Sequence, residues 1–489
     1  MSDVKEIWST DTGILDLPEN WRDFKVEELI SVRDAWESER ERLKNIKLLH
    51  SFVEQMNREW AIETGIIENL YEIERGVTRT LIEQGFQAGL LEIGTTNRPR
   101  DWVIQLLKDQ QNALEGLFKF IKQERPLSTS YIKELHSALL RSQHTVEGAD
   151  RNGNAIQIPL IRGDWKMQPN YPYKGGVTYR YCPPEQVASE MDLLISMHTQ
   201  HVIDQVPPEI ESAWLHHRFS QIHPFQDGNG RVARTLASLI FIRDGLFPLV
   251  VTRDDKSAYL DALERADDQQ LMHLVHFFAK LQRVRFRMAV SISESTKSTN
   301  VAEAIQNLQD SVSKIVAEKN PDFELVKDIA ERLAMRVENR LDGIKSELQD
   351  ALVTIEPSSR VYSEASQSKT DHYFQAQINE IARDHFNYYP NLASYKRWVR
   401  LTFKWTRRAQ LVFTFHAIGH EFSGVLVCAP FLEFQYDEDE MGTPLALINV
   451  ADEPFEFFYN ETIANIEKRF DVWLETVITV AIAELTNNL

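Results

Sequence analysis

The sequence has almost no cysteine: Cys182 and Cys428 are the only two in 489 residues. Two cysteines so far apart do not make a disulfide framework, and such low usage is typical of proteins from reducing compartments. The N-terminus lacks the basic and then apolar pattern of a signal peptide, and no apolar run is long enough to cross a bilayer. We therefore expect a cytoplasmic protein without a membrane partner.

Positive charge is also in short supply, with 54 Lys and Arg against 73 Asp and Glu, a formal net charge of −19. Such a chain repels nucleic acid and anionic membranes as a whole. One segment, residues 396–408, is nevertheless basic with interleaved aromatics, which is the pattern of a single-strand nucleic-acid platform. Its strict alternation is explained more simply by a strand with one solvated and one buried face, so nucleic acid is not an expected partner.

Hydrophobic residues make up 43% of the chain, enough for proper cores, and the length predicts two or three domains. Apolar residues recur every three or four positions from about Leu29 to Trp60 and again over Trp102–Lys122, which indicates long amphipathic helices. Tyr131–Arg141 is a further helix. We therefore expect a helical N-terminal region at 1–125 and a mostly α second domain at 126–290.

The pattern changes to β-like between residues 147 and 181. Glu147–Asn154 is rich in Gly, Asp and Asn and reads as a turn. Two short β-like runs follow, one beginning at Ile156 and one ending at Tyr181, on either side of a Pro- and Gly-rich stretch. We expect these two runs to form one hairpin.

The C-terminal part separates into a connector and a small module. Ser291–Asn300 and Glu356–Tyr373 are Ser-rich and read as linkers around a helical connector at 301–355. Residues 370–489 then show strand-like alternation and a final helix, Glu461–Leu485. They predict an α+β module whose antiparallel sheet has one polar face and is covered by that helix.

The most informative stretch runs from His223 to Arg234. Gly228, Asn229 and Gly230 form a glycine-rich loop that opens onto a strongly helix-forming segment. Such a loop presents unpaired N–H groups and the positive end of a helix dipole, which suits a phosphate. Glycine allows the backbone to approach an anion closely.

Charged residues flank this loop on both sides. Arg231 and Arg234 lie on one face of the first helical turn, where both can reach further phosphates. Asp227 is a hard oxygen ligand that can hold Mg²⁺ together with phosphate oxygens. His223 titrates near neutrality and is the natural general base.

Taken in order, these residues match the motif H-x-F-x-(D/E)-G-N-G-R-x-x-R, and the chain resembles the Fic-domain family. The resemblance covers residues 126–283 and implies a Fic-type helical core. It implies AMP transfer from ATP, with Mg²⁺, to a protein hydroxyl. It places Asn229 near the α-phosphate, Arg231 at the β-phosphate and Arg234 at the γ-phosphate, while Phe225 is expected to anchor the loop in the core.

The resemblance extends to two further elements. A hairpin over the active site, the flap, lies at 164–178 and would pair with an extended segment of the protein substrate. Some Fic proteins also carry an inhibitory helix with the pattern (S/T)-x-x-x-E-(G/N), which Thr64, Glu68 and Asn69 match within the segment 60–72. The resemblance makes Glu68 an inhibitory residue that forms an ion pair with Arg234.

Several alternatives stay open. Glu68 can instead place a water that removes AMP from a modified protein. Members of the family transfer other phosphate-linked groups, including phosphocholine. The Fic domain can also be held silent in a regulatory binding protein, although an intact His223 argues against that. Self-modification and a homodimer are both compatible with the sequence.

Overall fold

The computed structural model of the chain describes residues 3–45, 48–91, 95–149, 155–174, 176–291, 321–355, 357–366, 374–404, 407–419, 423–436 and 446–488. The chain divides into two compact units. The first comprises Met1–Leu29 and Leu49–Arg283, and the second comprises Ile30–Leu48 and Val284–Leu489.

The helices, in chain order, are α1 (Glu28–Asn45), α2 (Leu48–Ile67), α3 (Arg75–Gln84), α4 (Arg100–Lys122), α5 (Thr129–Leu139), α6 (Pro184–Ile203), α7 (Pro208–Ile222), α8 (Asn229–Arg243), α9 (Lys256–Asp267), α10 (Met272–Val290), α11 (Pro321–Ile355), α12 (Gln375–Asp384) and α13 (Ile463–Asn487). Short 3₁₀ turns occur at Trp21–Phe24 and Ala88–Leu90.

The strands are β1 (Asp3–Glu6), β2 (Thr145–Ala149), β3 (Ala155–Pro159), β4 (Tyr173–Lys174), β5 (Val177–Arg180), β6 (Arg360–Ala365), β7 (Pro390–Lys404), β8 (Arg407–Ile418), β9 (Val425–Tyr436), β10 (Ala446–Asn449) and β11 (Phe455–Phe458). The chain is thus mostly α, with an antiparallel sheet in its C-terminal part, as the sequence predicts.

The first unit is a helical bundle around α7 and α8. Most residues of α8 are buried, including Arg231 and Arg234, and α7 is equally enclosed. Helix α4 contributes an apolar stripe that includes Val103, Leu107 and Leu114, at the spacing expected of an amphipathic helix. Ser128 caps α5 by accepting a hydrogen bond from the Tyr131 N–H at 3.2 Å.

The predicted hairpin between residues 156 and 181 is wrong in its pairing. The run at Ile156 forms β3 and pairs with β2, which occupies part of the stretch expected to be a turn. The run that ends at Tyr181 forms β5 and pairs with β4, so a smaller hairpin overlaps the end of the predicted flap segment, 164–178. Both runs are β-forming, but their partners are set by contacts that periodicity does not encode.

The second unit is an α+β module built on a sheet of order β10-β9-β8-β7-β6, with β11 also paired to β9. Helices α11 and α13 cover one face and form a continuous core with inward residues such as Leu401, Phe413 and Phe470. Strand β6 lies inside the segment predicted to be a linker, 356–373, so that prediction is wrong. The linker predicted at 291–300 lies outside the described residues beyond Ser291.

The second face of this sheet is not solvated, which corrects the expectation of one polar, exposed face. Thr402, Gln410 and Glu433 are at most 2% exposed there. Helix α12 contacts β7 and β9 on the sheet, and its Gln377 Nε2 donates to Glu433 Oε1 at 2.8 Å. Gln410 and Glu433 can be buried because Gln410 Nε2 also donates to Glu433 Oε2, at 3.4 Å.

Candidate active site

His223 ends helix α7 in a left-handed backbone conformation, with φ 51°. Its N–H donates to the Phe219 carbonyl at 3.0 Å, which closes the last turn of the helix. A residue other than glycine in this region stores strain, and such strain is common at functional sites. The conformation turns the chain directly from the helix into the loop that follows.

The His223 ring is held in one orientation and one tautomer. Nδ1 lies 3.3 Å from the Ser220 carbonyl oxygen, which can only accept, so Nδ1 carries the proton. Tyr181 stacks on the ring at a centroid distance of 4.0 Å. Burial, reinforced by the Lys166 ammonium, lowers the pKa of His223 to about 3. The ring is therefore neutral and its Nε2 is a proton acceptor.

The loop after His223 is braced by the side chain of Asn229. Phe225 N–H donates to Asn229 Oδ1 at 2.9 Å, and Asn229 Nδ2 donates back to the Phe225 carbonyl at 2.8 Å. The Phe225 ring is fully buried and stacks on His136 at 3.7 Å, in agreement with its expected role as an anchor. The Asn229 side chain therefore shapes the loop, whereas contact with an α-phosphate stays a prediction.

Two glycines of this loop cannot be replaced without a clash. Gly228 has φ 79°, and a Cβ there would lie 2.7 Å from Leu140 Cδ1. At Gly230 a Cβ would lie 2.2 Å from Glu68 Oε1. Glycine at these positions lets Leu140 and the Glu68 carboxylate pack directly against the backbone at the start of α8.

Asp227 and Arg231 are linked through Gln143. Gln143 Nε2 donates to Asp227 Oδ2 at 2.6 Å, and Gln143 Oε1 accepts from Arg231 Nη2 at 2.9 Å. Arg231 Nη2 also lies 3.2 Å from Asp227 Oδ2. Burial acts to raise the pKa of Asp227, but Arg231 and Gln143 outweigh it and hold that pKa below its ordinary value. The Asp227 carboxyl is therefore ionised, as the predicted role of metal ligand requires.

Arg231 also has donors without a partner. Its side chain is fully buried, and Nε and Nη1 have no hydrogen-bond partner in the described part of the chain. Buried guanidinium donors without partners are costly unless an anion satisfies them. The resemblance assigns a phosphate to Arg231, which stays a prediction.

Glu68 and Arg234 form the ion pair that the resemblance predicts. Arg234 Nη2 donates to Glu68 Oε1 at 2.7 Å and to the Thr64 carbonyl at 3.3 Å. Glu68 follows the last residue of α2, and its N–H donates to the same Thr64 carbonyl. Burial alone would lower the pKa of Arg234, but Glu68 and Tyr259 raise it. Arg234 is thus charged, and its Nη2 is already bound to Glu68.

Four of the predicted site residues line a cavity of about 310 Å³. Its wall includes His223, Gly230, Arg234 and Glu68, with Tyr179 and Tyr181 from the flap side. Asp227, Gly228, Asn229 and Arg231 lie in the adjoining loop and helix turn. The structure therefore brings all eight sequence-predicted site residues into one region.

Other residues of this region carry no motif and were missed from the sequence. His136 Nδ1 accepts from the Gly163 N–H at 2.9 Å, so its Nε2 donates to the Asp227 carbonyl at 3.0 Å. Gln143, Lys166 and Tyr181 also contact motif residues from far away in sequence. A single sequence gives no signal for such contacts.

The protein itself offers only some of the ligands that a Mg²⁺ ion needs at this site. Across the described residues there is no group of three metal-ligating side chains, and Asp227 supplies the one ionised carboxylate on the loop. Magnesium in nucleotide sites is commonly held by one or two carboxylates plus phosphate oxygens. Asp227 fits that pattern.

Comparison with known proteins agrees with this geometry. Residues 126–241 match the Fic/DOC family. Residues 126–241 are thus similar to the Fic/DOC family, as the motif from His223 to Arg234 predicts.

The relatives are distant. Protein adenylyltransferase fic-1 of Caenorhabditis briggsae is 22% identical over 246 residues, which are 49% of this chain and 43% of that protein. Its namesake in Caenorhabditis elegans is 24% identical over 234 residues, 46% of this chain and 40% of that protein. The matches thus span less than half of either relative. A solved Fic domain containing signaling protein from Bacteroides thetaiotaomicron is 22% identical and covers 55% of this chain and 98% of that chain, with a TM-score of 0.42.

No helix in the described ranges combines the length and apolar character that a membrane crossing requires.

Proposed function

We propose that this chain is a protein adenylyltransferase that transfers AMP from ATP to a Ser, Thr or Tyr hydroxyl of a protein and releases pyrophosphate. The observation that carries the proposal is the position of His223, whose proton-accepting Nε2 belongs to the same short loop as a phosphate-binding helix N-terminus. The names of the relatives, protein adenylyltransferases, support the same activity.

The binding residues follow from the geometry. The N–H groups at the start of α8 and the unpartnered donors of Arg231 would hold ATP phosphates. Asp227 would hold Mg²⁺, which supplies charge neutralisation on the phosphate oxygens when bound. Gln143 keeps Asp227 and Arg231 at hydrogen-bond distance from a shared amide, so both groups are placed before a nucleotide arrives.

The chemistry then needs one proton transfer by the protein. His223 Nε2 accepts the proton of the target hydroxyl as its oxygen attacks the α-phosphorus. The bond from this phosphorus to the bridging oxygen breaks, and pyrophosphate leaves with its electron pair. The loop and Arg231 contribute positioning and charge stabilisation, which dominate phosphoryl-type transfers.

Glu68 is proposed as the inhibitory residue. Its carboxylate takes the Arg234 donors and places negative charge where the γ-phosphate would bind. ATP then binds in a pose whose α-phosphorus is not aligned for attack. The protein in isolation is therefore a weak enzyme.

Removal of AMP from a modified protein is a second candidate function. It is favoured by one observation: the Glu68 carboxylate lines the same cavity as His223 and is 23% exposed, so it can contact a water there. Incubation of AMP-modified protein with wild type and with Glu68→Ala would detect this activity as Glu68-dependent release of AMP.

The protein target is proposed to dock on the flap segment 164–178.

Self-modification is the first activity to test. ATP labelled at the α-phosphate should label the Glu68→Gly chain, and adding His223→Ala should abolish that labelling while nucleotide binding persists. Loss of a general base typically costs about 10²- to 10⁴-fold in rate. Labelling of the His223→Ala chain at the parent rate would remove His223 from this role.

A further inference from the structure

The N-terminal arm, residues 3–26, begins with a strand that lies on the flap. Strand β1 pairs in parallel with β5, from Asp3 opposite Val177 to Glu6 opposite Arg180. The pairing continues past β1, because the N–H groups of Ile7 and Trp8 both donate to the Arg180 carbonyl. The sheet order is β1-β5-β4, so β1 takes the edge of β5 that faces away from its hairpin partner.

This edge of β5 borders the catalytic cavity. Tyr179 and Tyr181, at the end of β5, line the cavity together with His223, and Ile7 of the arm completes the same wall. Gln221 Nε2 donates to the Ile7 carbonyl at 3.1 Å, which fixes the arm beside α7. A segment paired with β5 therefore runs directly past the proposed base.

The arm is firmly anchored after β1. Trp8 and Ile14 are buried, and both bind the buried carboxylate of Glu190: Trp8 Nε1 donates at 3.0 Å and the Ile14 N–H at 2.8 Å. Glu209, also buried, accepts the Val26 N–H at 3.0 Å. These contacts hold the arm without any contribution from β1.

A charged bridge adds a further anchor. His201 Nδ1 lies 2.7 Å from Glu211 Oε2, and its Nε2 lies 2.7 Å from Asp16 Oδ1. Because carboxylates can only accept, both ring nitrogens carry protons and the ring is an imidazolium. Asp16 is thereby tied to α6 and α7 through a chain of opposite charges.

Strand β1 itself is held weakly. Its side-chain contacts are ion pairs near the surface, Lys5 with Asp267 at 3.4 Å and Glu6 with Arg180 at 3.0 Å, and the second pair is about half exposed. Exposed ion pairs contribute little stability, and Val4 is 45% exposed. A short strand whose described side chains make solvent-accessible contacts belongs to the low-stability part of a fold. Strand β1 can therefore separate while the arm stays in place from Ile7 onward.

We propose that β1 competes in cis for the docking edge of the flap: an extended segment of the protein to be modified pairs with β5 only after it displaces β1. The inference rests on the proposed function, since only a protein acceptor needs delivery to His223. Strand addition binds through main-chain groups, and an edge already paired cannot accept a second strand. A tethered competitor also acts at high effective concentration, so it screens out segments that pair poorly. The edge of β4 offers an acceptor only two residues of strand.

The test is a reversible disulfide bond between β1 and β5. Val4 and Thr178 are register partners, so Val4→Cys with Thr178→Cys places two thiols across the β1–β5 pair. Both native cysteines are buried, which leaves the engineered pair as the reactive one. The variant is made in the full chain with Glu68→Gly, so that the Glu68 inhibition is absent. Label from α-labelled ATP is followed into protein in the oxidised and reduced forms, with each single-cysteine variant as control, and nucleotide affinity is measured in parallel.

The oxidised form should lose protein labelling by at least about tenfold while it keeps the nucleotide affinity of the reduced form, and reduction should restore labelling. Equal labelling in the oxidised and reduced forms would overturn the inference, because β1 would then not need to leave. If the Glu68→Gly parent binds ATP but labels no protein, the proposed function itself fails. That outcome is separate, since it is seen before any cysteine is introduced.

Discussion

At the scale of single residues, the surroundings of His223 hold its ring in the neutral form that a general base requires. The ring is neutral because burial and the nearby Lys166 ammonium lower its pKa to about 3, far below the ordinary value. A histidine with a depressed pKa stays a proton acceptor as the solution is acidified. Its Nδ1 contact with the Ser220 carbonyl leaves Nε2 as the reactive atom.

This pKa gives a direct prediction for pH dependence. The rate of self-labelling by the Glu68→Gly chain should show no acid limb near pH 6.5, where a solvated histidine would become protonated. The rate should stay level until the pH falls well below that value. Initial rates between pH 5 and 8, with saturating ATP, measure this. A limb with an apparent pKa near 6.5 would mean that the ring is solvated during turnover.

Gln143 gives a second residue-scale prediction. Gln143→Glu keeps an acceptor for Arg231 but replaces the amide donor to Asp227 with a like charge. Metal affinity typically falls about 10- to 100-fold when a supporting hydrogen bond of a ligand is lost. The Mg²⁺ concentration for half-maximal nucleotide binding should rise by about that factor. Gln157→Glu, the same change at an exposed site on β3, should leave it unchanged.

At the scale of elements, the shape of the proposed phosphate-binding loop depends on its glycines as much as on its side chains. Gly228→Ala must place a Cβ against Leu140 in a left-handed conformation. Gly245→Ala is a matched control, because Gly245 has φ 82° but open space around its Cα. Both changes should lower thermal stability, since each carries the left-handed penalty of about 1–2 kcal/mol. Nucleotide affinity should fall only for Gly228→Ala, and an equal loss for both variants would contradict this account of the loop.

The elements also show what the sequence could predict. The helices around the site and the residues from His223 to Arg234 were predictable, because periodicity and the motif are local. The partners of β3 and β5 were not, since the choice between pairing with each other and pairing with β2 and β4 is made by distant contacts. Gln143 was missed for the same reason, as it reaches Asp227 across 84 residues.

The alternation of polar residues also led to a wrong prediction for the C-terminal sheet, whose polar face was expected to be solvated. Polar residues at every second position predict a solvated face, but Gln410 and Glu433 are buried. Glu433 accepts hydrogen bonds from both Gln410 and Gln377. Alternation shows that the two faces of a strand differ. It does not show what covers each face.

At the scale of the whole molecule, the two compact units are not consecutive in sequence. Residues 30–48, which include most of α1, group with the C-terminal unit although they precede the Fic domain. A truncation near Ser298 would remove most of the unit to which α1 belongs. The buried apolar residues of α1, among them Val32 and Trp36, would lose part of their packing.

We therefore predict a difference in stability between two truncated chains, both ending near Ser298. The chain that keeps residues 30–48 should be less stable than the chain in which a flexible linker replaces them. The linker version should keep nucleotide binding and self-labelling in the Glu68→Gly background, because the site residues all lie in the first unit. Thermal unfolding and labelling of the two truncations test this. A linker version that folds but lacks all nucleotide chemistry would make the C-terminal unit part of the catalytic machinery.

The central claim is that Glu68 restrains the site through Arg234. The 2.7 Å contact between them occupies the arginine that we propose as the γ-phosphate ligand. Arg234→Ala should not activate the enzyme, because it removes the phosphate ligand itself. The double variant should resemble Arg234→Ala, since two residues in one ion pair do not act independently.

The most direct measurement is the rate of self-labelling from α-labelled ATP, at saturating ATP, for wild type and Glu68→Gly side by side. The account predicts a slow wild type and a strong increase, on the order of tenfold or more, in Glu68→Gly, because a freed Arg234 lets ATP bind with its α-phosphorus aligned. Equal rates for the two proteins would contradict the account and leave Glu68 as a structural ion-pair partner only.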